Sequence, residues 1–267
     1  MSLVRVIAKA VRHPRKALSM VARMVFKKPV PGYCSVCGEN RILYKAGHPR
    51  ISYFCRGCGA VARNRHLATI LGRIMGSGEP YSLPGLVASR PDLKVYQAQA
   101  RGPIHQALWG LSGYVCSEYL PDTLPGSVSK SGIRCEDLQQ LTFPVDSFDV
   151  VITEDVLEHI RDPDAAWREI HRVLKPGGYH VFTIPYDPGR RTARRVIIEG
   201  ERDIFVMPKV YHGDAIRDGL VYTDFGYDLL DHLERIGLPT QCYGADGLDG
   251  HPHHIYAGWV FVSRKEV

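Results

Sequence analysis

An α/β fold, with a doubly wound and mostly parallel sheet preceded by a small cysteine module, is predicted by two features of the 267-residue chain. From Leu93 onward, runs of strand character alternate with runs of helical periodicity, the pattern of a parallel sheet covered by helices on both faces. Ahead of them, Cys34-x2-Cys37 and Cys55-x2-Cys58 stand 17 residues apart, while Cys116, Cys135 and Cys242 are scattered singly. The length suits a domain of ~200 residues carrying a small appended module. With 45% hydrophobic and 23% charged residues, the chain can bury a sizeable core, which excludes wholesale disorder. No run approaches the ~18 to 20 apolar residues of a membrane-spanning helix.

The net charge of +6 is unevenly placed. Residues 1–29 hold Arg5, Lys9, Arg12, Arg15, Lys16, Arg23, Lys27 and Lys28 and no acidic residue, leaving 26 basic against 28 acidic residues, a balance of −2, for the rest. The body therefore lacks the charge of an extended nucleic-acid-binding surface. Leu3, Val4, Ile7, Val11, Leu18, Val21 and Val25 recur at helical spacing, interrupted near Pro14. Two readings fit this leader: a basic amphipathic helix on an anionic membrane surface, making the protein cytoplasmic and peripheral at the inner face, or an arm docked on its own body. A secretory signal is disfavoured, since cations run through the whole segment.

The paired cysteines, in residues 30–66, have the spacing of a four-cysteine zinc site, each pair aiming two thiolates at one tetrahedral ion. Gly38 and Gly59 stand where each knuckle turns sharply. A hairpin of Ile42, Leu43 and Tyr44 with Ile51, Ser52, Tyr53 and Phe54 would bring the knuckles together. Disulfides are disfavoured without an export signal. A helical pattern follows from Ala60 to Met75, and residues 76–91, rich in proline, glycine and serine, read as a linker, so that residues 67–90 form helix and linker.

Residues 91–267 form the second module. Ser147 to Thr153 is a buried-strand run, Asp162-Pro163-Asp164 is an N-cap with proline at the first helical position, and Ala166, Trp167, Ile170, Val173 and Leu174 share one helix face. Lys175-Pro176-Gly177-Gly178 stops that helix, and the next strand runs from Tyr179 to Ile184. FPVDSFDVVITEDVLEHIRDPDAAWREIHRVLKPGGYHVFTIPY resembles the fourth through fifth strands of the class I S-adenosylmethionine-dependent methyltransferases, type 11 group. The resemblance is specific over residues 93–185 and implies a seven-stranded, Rossmann-like sheet with the cofactor across the carboxyl ends of its first strands.

The resemblance also implies site residues. The first strand, Leu93 to Ala98, leads into a turn where Gln97 replaces the family's acidic residue and Gly102 alone of its glycines remains; the Gln97 carbonyl would accept from the methionine ammonium. Glu118, 21 positions after Gln97, would take the ribose hydroxyls. Asp137 would bond the adenine amine with Leu138 packed on its ring, and Glu154 would close the cofactor site from the fourth strand.

Methyl transfer to a hydroxyl requires alignment and removal of one proton. His159 is the expected general base, or else a residue orienting its loop. Asp155-x2-Glu158-His159 also resembles the metal motif of small-RNA 2'-O-methyltransferases, in which case a divalent cation would be completed by His212. Residues 186–222, preceding a helix expected to open at Thr223, read as a substrate lid. Its Arg190, Arg191, Arg194 and Arg195 favour a phosphate or carboxylate on the substrate. His251, His253 and His254 read as surface-loop residues before a last strand at residues 255–263. The leading expectation is methylation of a sugar, glycolipid or other small-molecule hydroxyl. The alternatives are an RNA methyltransferase using the zinc ribbon, and a non-catalytic binding protein with a degenerate cofactor loop.

Overall fold

The computed structural model describes residues 29–45, 50, 52–200, 202–213, 218–244 and 258–266. The basic leader up to Lys28, Ile51 and the three late histidines lie outside the described residues. Strands β1 (Pro29–Cys34), β2 (Glu39–Tyr44) and β3 (Phe54–Cys55) form an antiparallel ribbon in which β2 is central. The expected hairpin is thus present over β2 and β3, and Pro29, placed in the leader by composition, already pairs with Tyr44.

Helix α1 (Ala62–Ile74) follows, and residues expected to be a linker carry a second helix, α2 (Leu83–Ser89). Proline and glycine are compatible with it because Ser82 caps the helix by accepting from Gly85 N and Pro84 sits in the first turn, where no intrahelical donor is needed. Leu83 and Leu86 are buried.

The body continues with β4 (Lys94–Gln97), α3 (Gly102–Leu108), β5 (Gly113–Glu118), β6 (Arg134–Cys135), β7 (Phe148–Glu154), α4 (Pro163–Val173) and β8 (Leu174–Thr183). Asp162 caps α4 by accepting from Asp164 N and Ala165 N, as its sequence predicts. Lys175 to Gly178, expected as a helix stop, instead lie inside β8, whose pairing with β7 shifts between Phe148 and Val150. The lid region folds as short strands β9 (Tyr186–Asp187), β10 (Ala193–Arg194), β11 (Val196–Glu199), β12 (Arg202–Phe205), β13 (Tyr211–Gly213) and β14 (Asp218–Leu220). The helix expected at Thr223 is first a strand, β15 (Thr223–Gly226), and α5 (Leu229–Arg235) begins after it. The chain ends with β16 (Thr240–Gly244) and β17 (Trp259–Arg264).

Seven strands make the main sheet in the order β16-β17-β8-β7-β4-β5-β6. The five from β8 to β6 are parallel, and β17 runs antiparallel to both of its neighbours. The order reverses between β4 and β7, the crevice at which such sheets bind ligands. No helix of the described residues is long and apolar enough to cross a membrane.

Strand alternation divides the core into two layers. Val95, Val150, Ile152, Val181, Val260 and Val262 point to one face and Tyr96, Val151, Phe182 and Phe261 to the other. The second face is covered by Trp167, Ile170 and Val173 of α4 and Leu229 and Leu233 of α5. The first is continuous with Leu67, Ile70 and Leu71 of α1, Leu83 and Leu86 of α2, and Cys34, Val36, Leu43 and Cys55 of the ribbon. The cysteine module and the sheet therefore share one core.

His180 is buried in β8, bonded to Thr153 Oγ1 (3.0 Å) and stacked on Phe182. Burial pushes its imidazole down to about 3 from 6.5. Between those values the unfolded chain binds more protons than the folded one, so stability present at neutral pH is lost as pH falls. Urea unfolding at pH 7 and pH 5 should show a loss of up to about 2 kcal/mol from this residue, and His180→Gln should reduce that pH dependence.

Candidate active site and cysteine centre

The four ribbon sulfurs converge. Cys34 Sγ lies 3.7 Å from Cys58 Sγ and Cys37 Sγ 4.0 Å from Cys55 Sγ, and all four fall within 4.8 Å of one another. A zinc–sulfur bond of about 2.3 Å requires tetrahedral edges of about 3.8 Å. The two knuckles repeat one geometry, Gly38 N donating to Cys34 O (2.7 Å) and Gly59 N to Cys55 O (2.8 Å), with both glycines at positive φ. Arg65, wholly buried, and Arg41 donate to Cys34 and Cys37 respectively, bringing positive charge beside the four sulfurs.

Gly102 and Asp137 follow the carboxyl ends of β4 and β6, and Glu118 is the last residue of β5. Gly102 has φ +89, and a Cβ added there would meet nothing within 4 Å, so the loop faces open space. Glu118 Oε1 accepts from Ala100 N (3.1 Å), tying that loop to β5. Asp137 accepts from the backbone and side chain of Gln139, and Leu138 is buried beside it. Gln97 is fully buried, its carbonyl accepting from Tyr114 OH (2.9 Å) and its amide donating to Glu154 Oε1 (3.2 Å). The carbonyl expected to meet the cofactor is thus already engaged by Tyr114.

Glu154 and Asp155, at the end of β7, meet α1. Asn64 Nδ2 donates to Glu154 Oε2 (2.6 Å) while Asn64 Oδ1 accepts from Val61 N (3.0 Å) at the start of that helix. Burial raises the Glu154 pKa, against the opposing effects of Arg63 and Asn64. Asp155 has φ +50 and is held by Arg50 (2.6 Å), Arg63 and Thr183 Oγ1 (3.0 Å). Burial alone would raise its pKa, but the two guanidinium groups outweigh that and hold it low. Asp155, expected to join catalysis or bind a cation, is instead saturated by these partners. Arg50, Arg63 and Asn64 are the site residues that sequence reasoning missed.

His159, Glu158 and His212 do converge. His159 closes a short 3-10 turn (Leu157–His159), with Nδ1 2.9 Å from the Leu220 carbonyl. A carbonyl only accepts, so the proton is on Nδ1 and Nε2 presents its lone pair. That nitrogen lies 3.7 Å from Glu158 Oε1. Glu158 is 1% exposed and neither of its oxygens has a hydrogen-bond partner among the described residues. Burial, reinforced by the charge of Asp155, pushes its carboxyl up to about 8. The lid hairpin of β13 and β14 brings the His212 ring to 4.9 Å from that of His159. A Cβ at Gly219, opposite His212, would come within 2.7 Å of His159 Nδ1, so only glycine lets the hairpin lie this close.

The lid arginines do not converge as a cluster. Arg190 pairs with Asp187, Arg191 with Asp228 and Arg195 with Asp224, while Arg194 donates to Arg161 O.

Residues 115–182, from β5 through β8, match the model of the type 11 methyltransferase domain family. Among curated proteins, the chain is 44% identical over 52 residues to an uncharacterized methyltransferase of Schizosaccharomyces pombe, covering 20% of this chain and 19% of that one. It is 30% identical over 134 residues to a sterol 24-C-methyltransferase of Aspergillus fumigatus, covering 48% and 34%. The chain thus spans about a third or less of these relatives' lengths. Among solved structures, an aminopentose methyltransferase of Micromonospora echinaspora aligns with a TM-score of 0.40 at 17% identity, over 67% of this chain and 86% of that one. Over β5 to β8 the chain is similar to that methyltransferase domain, and its mostly parallel seven-stranded sheet, with β17 antiparallel, has the Rossmann-like fold of the class I S-adenosylmethionine-dependent methyltransferases.

Proposed function

We propose that the protein transfers a methyl group from S-adenosylmethionine to a hydroxyl of a small saccharide-like acceptor. The observation that carries this reading is His159, whose Nε2 lone pair is presented beside β7, at the end of the sheet where Gly102, Glu118 and Asp137 also lie. In this reading Glu118 holds the ribose hydroxyls, Asp137 and Leu138 receive the adenine, and the open space at Gly102 receives the methionine portion. The cofactor supplies an electrophilic methyl group. His159 draws off the acceptor's proton, and Leu220 O fixes the imidazole in the tautomer that can do so.

A cavity of about 770 Å³ lies between α4, the lid strands and α5. Its wall is polar, including Thr223, His232, Arg191 and Arg194 together with Asp162, Asp164 and Asp228. Trp167 Nε1 and Thr223 Oγ1, on two buried wall residues, have no hydrogen-bond partner among the described residues. These groups suit hydroxyls better than an apolar ligand.

Titration with S-adenosylhomocysteine should show binding that Glu118→Ala weakens by ~1 to 3 kcal/mol, the cost of losing charge-assisted hydrogen bonds. With labelled cofactor and a panel of saccharides, His159→Ala should lower turnover ~10²-fold or more without changing that affinity. A protein that binds no S-adenosylhomocysteine contradicts the reading.

The four cysteines suit zinc, with Arg65 and Arg41 balancing the thiolate charge, and we assign them that ion. Metal analysis of the purified chain should find about one zinc per molecule, lost in Cys34→Ser together with Cys58→Ser. The cationic residues 1–28 would hold the enzyme at an anionic membrane surface.

A further inference from the structure

The charge of the chain divides further along than the end of its leader. Residues 1–66 hold 14 of the 34 lysines and arginines but only Glu39 of the 28 acidic residues, a balance of +13. That leaves 20 basic against 27 acidic residues, a balance of −7, for the remainder. The cysteine ribbon thus continues the basic character of the leader. We propose that the outward face of the ribbon docks on an anionic phospholipid surface.

Strand alternation builds that face. Pro29 and Pro31 of β1 lie opposite Tyr44 and Ile42 of β2, and Tyr44 lies opposite Phe54 of β3. Residues opposite one another point to the same side of a sheet, so these five side chains share one face. Gly32, Cys34, Leu43 and Cys55 point the other way and are buried. Pro29, Pro31 and Ile42 are exposed, Ile42 to 42%, and Tyr44 and Phe54 are half-buried beside them. Contiguous exposed apolar groups of this kind mark a surface that meets a partner.

The cations around the face indicate the charge of that partner. Of the six in residues 29–66, Arg50 and Arg63 hold Asp155 and Arg65 faces Cys34. Lys45 and Arg56 are exposed, and Arg41, paired with Glu39 at 3.1 Å, keeps 39% of its side chain in solvent. A cavity of about 710 Å³ opens here, lined by Pro31, Asn40, Arg41, Ile42 and Arg56. Its two guanidinium groups can donate to a headgroup phosphate while Pro31 and Ile42 meet the apolar layer beneath. The leader joins the ribbon at Pro29, the first residue of the face, and brings eight further cations.

A lipid surface fits this combination better than RNA or an added protein strand. Single-stranded RNA is held by bases stacked on free aromatic rings, whereas Tyr44 and Phe54 stack on each other, centroids 5.3 Å apart at 23°. A strand added along β1 needs backbone donors, and the prolines at 29 and 31 supply none. Membrane interfaces take tyrosine and cations beside apolar groups, and the periodic apolar residues of the leader suit insertion. Because ribbon and sheet share one core, docking through this face fixes the orientation of the sheet on the surface. The inference shares its partner with the assignment of residues 1–28 and is independent of the methyl-transfer reading.

The test is co-sedimentation of the full chain with phosphatidylcholine vesicles made with and without phosphatidylserine. Binding to the anionic vesicles is expected, weakened ~10-fold by Ile42→Glu and by Arg56→Glu. Val145→Glu and Lys130→Glu make the same changes at exposed positions outside the ribbon and should leave binding unchanged. Urea unfolding of the same samples reports folding, and the exposed Arg56→Glu keeps the test valid if Ile42→Glu disturbs the ribbon. A variant with the eight leader cations replaced by glutamine measures the share of residues 1–28. Binding that this variant loses but Ile42→Glu and Arg56→Glu leave intact belongs to the leader alone and overturns the proposal. Equal losses from the control substitutions, retention on single-stranded RNA without retention on vesicles, or no sedimentation with either vesicle overturns it as well.

Discussion

The structure turns on two adjacent carboxyl groups at the end of β7, Glu154 buried and Asp155 partly buried. Burial disfavours the charged form of both, and partners from elsewhere in the chain oppose that effect. Asn64 and Arg63 reach them from α1 and Arg50 from the cysteine module. These contacts fasten module and helix onto the loop that carries Glu158 and His159. They also explain why Asp155 can hold a left-handed backbone conformation, since Arg50, Arg63 and Thr183 fix its side chain. Arg50 and Arg63 are close to the four cysteines along the chain, so the geometry of the loop after β7 depends on a ribbon that composition alone would set apart.

The shared core follows the same logic. Ribbons of this size cannot bury enough apolar surface to stand alone. Here Leu43, Val36 and the sulfurs of Cys34 and Cys55 lean on Leu67, Ile70 and Leu71, and through them on the valines of the central strands. The ribbon is stabilised by its cysteine centre on one side and by the sheet on the other. Zinc, in our reading, therefore supports the fold around the active site in addition to the ribbon.

Local pattern made much of this fold legible. The N-cap at Asp162, the apolar face of α4 and the strand run of β7 are decided by neighbours within a few residues, and the structure has them where the sequence puts them. Positions decided by tertiary contact were not legible. Helix α2 sits in a proline- and glycine-rich stretch because Leu83 and Leu86 find a core there, and Thr223 extends as β15 because β9 and β10 are available to pair with it. In the site, His159 and His212 were readable as chemistry-bearing residues. Asp155 looked equivalent to Glu158 because the residues that neutralise it lie 92 and 105 positions away, beyond any local signal. The lid arginines looked like an anion site for the same reason, their acidic partners being spread from Asp187 to Asp228.

The dependence of the loop carrying Glu158 and His159 on the cysteine module is tested most directly by hydrogen exchange on the full chain before and after chelation of the ion we assign to the four cysteines. Mutual support predicts faster exchange at residues 34–58 and also at residues 152–160, where Asp155 N donates to Thr183 O and His159 N to Val156 O. Exchange that rises in the ribbon while residues 152–160 keep their protection would contradict it.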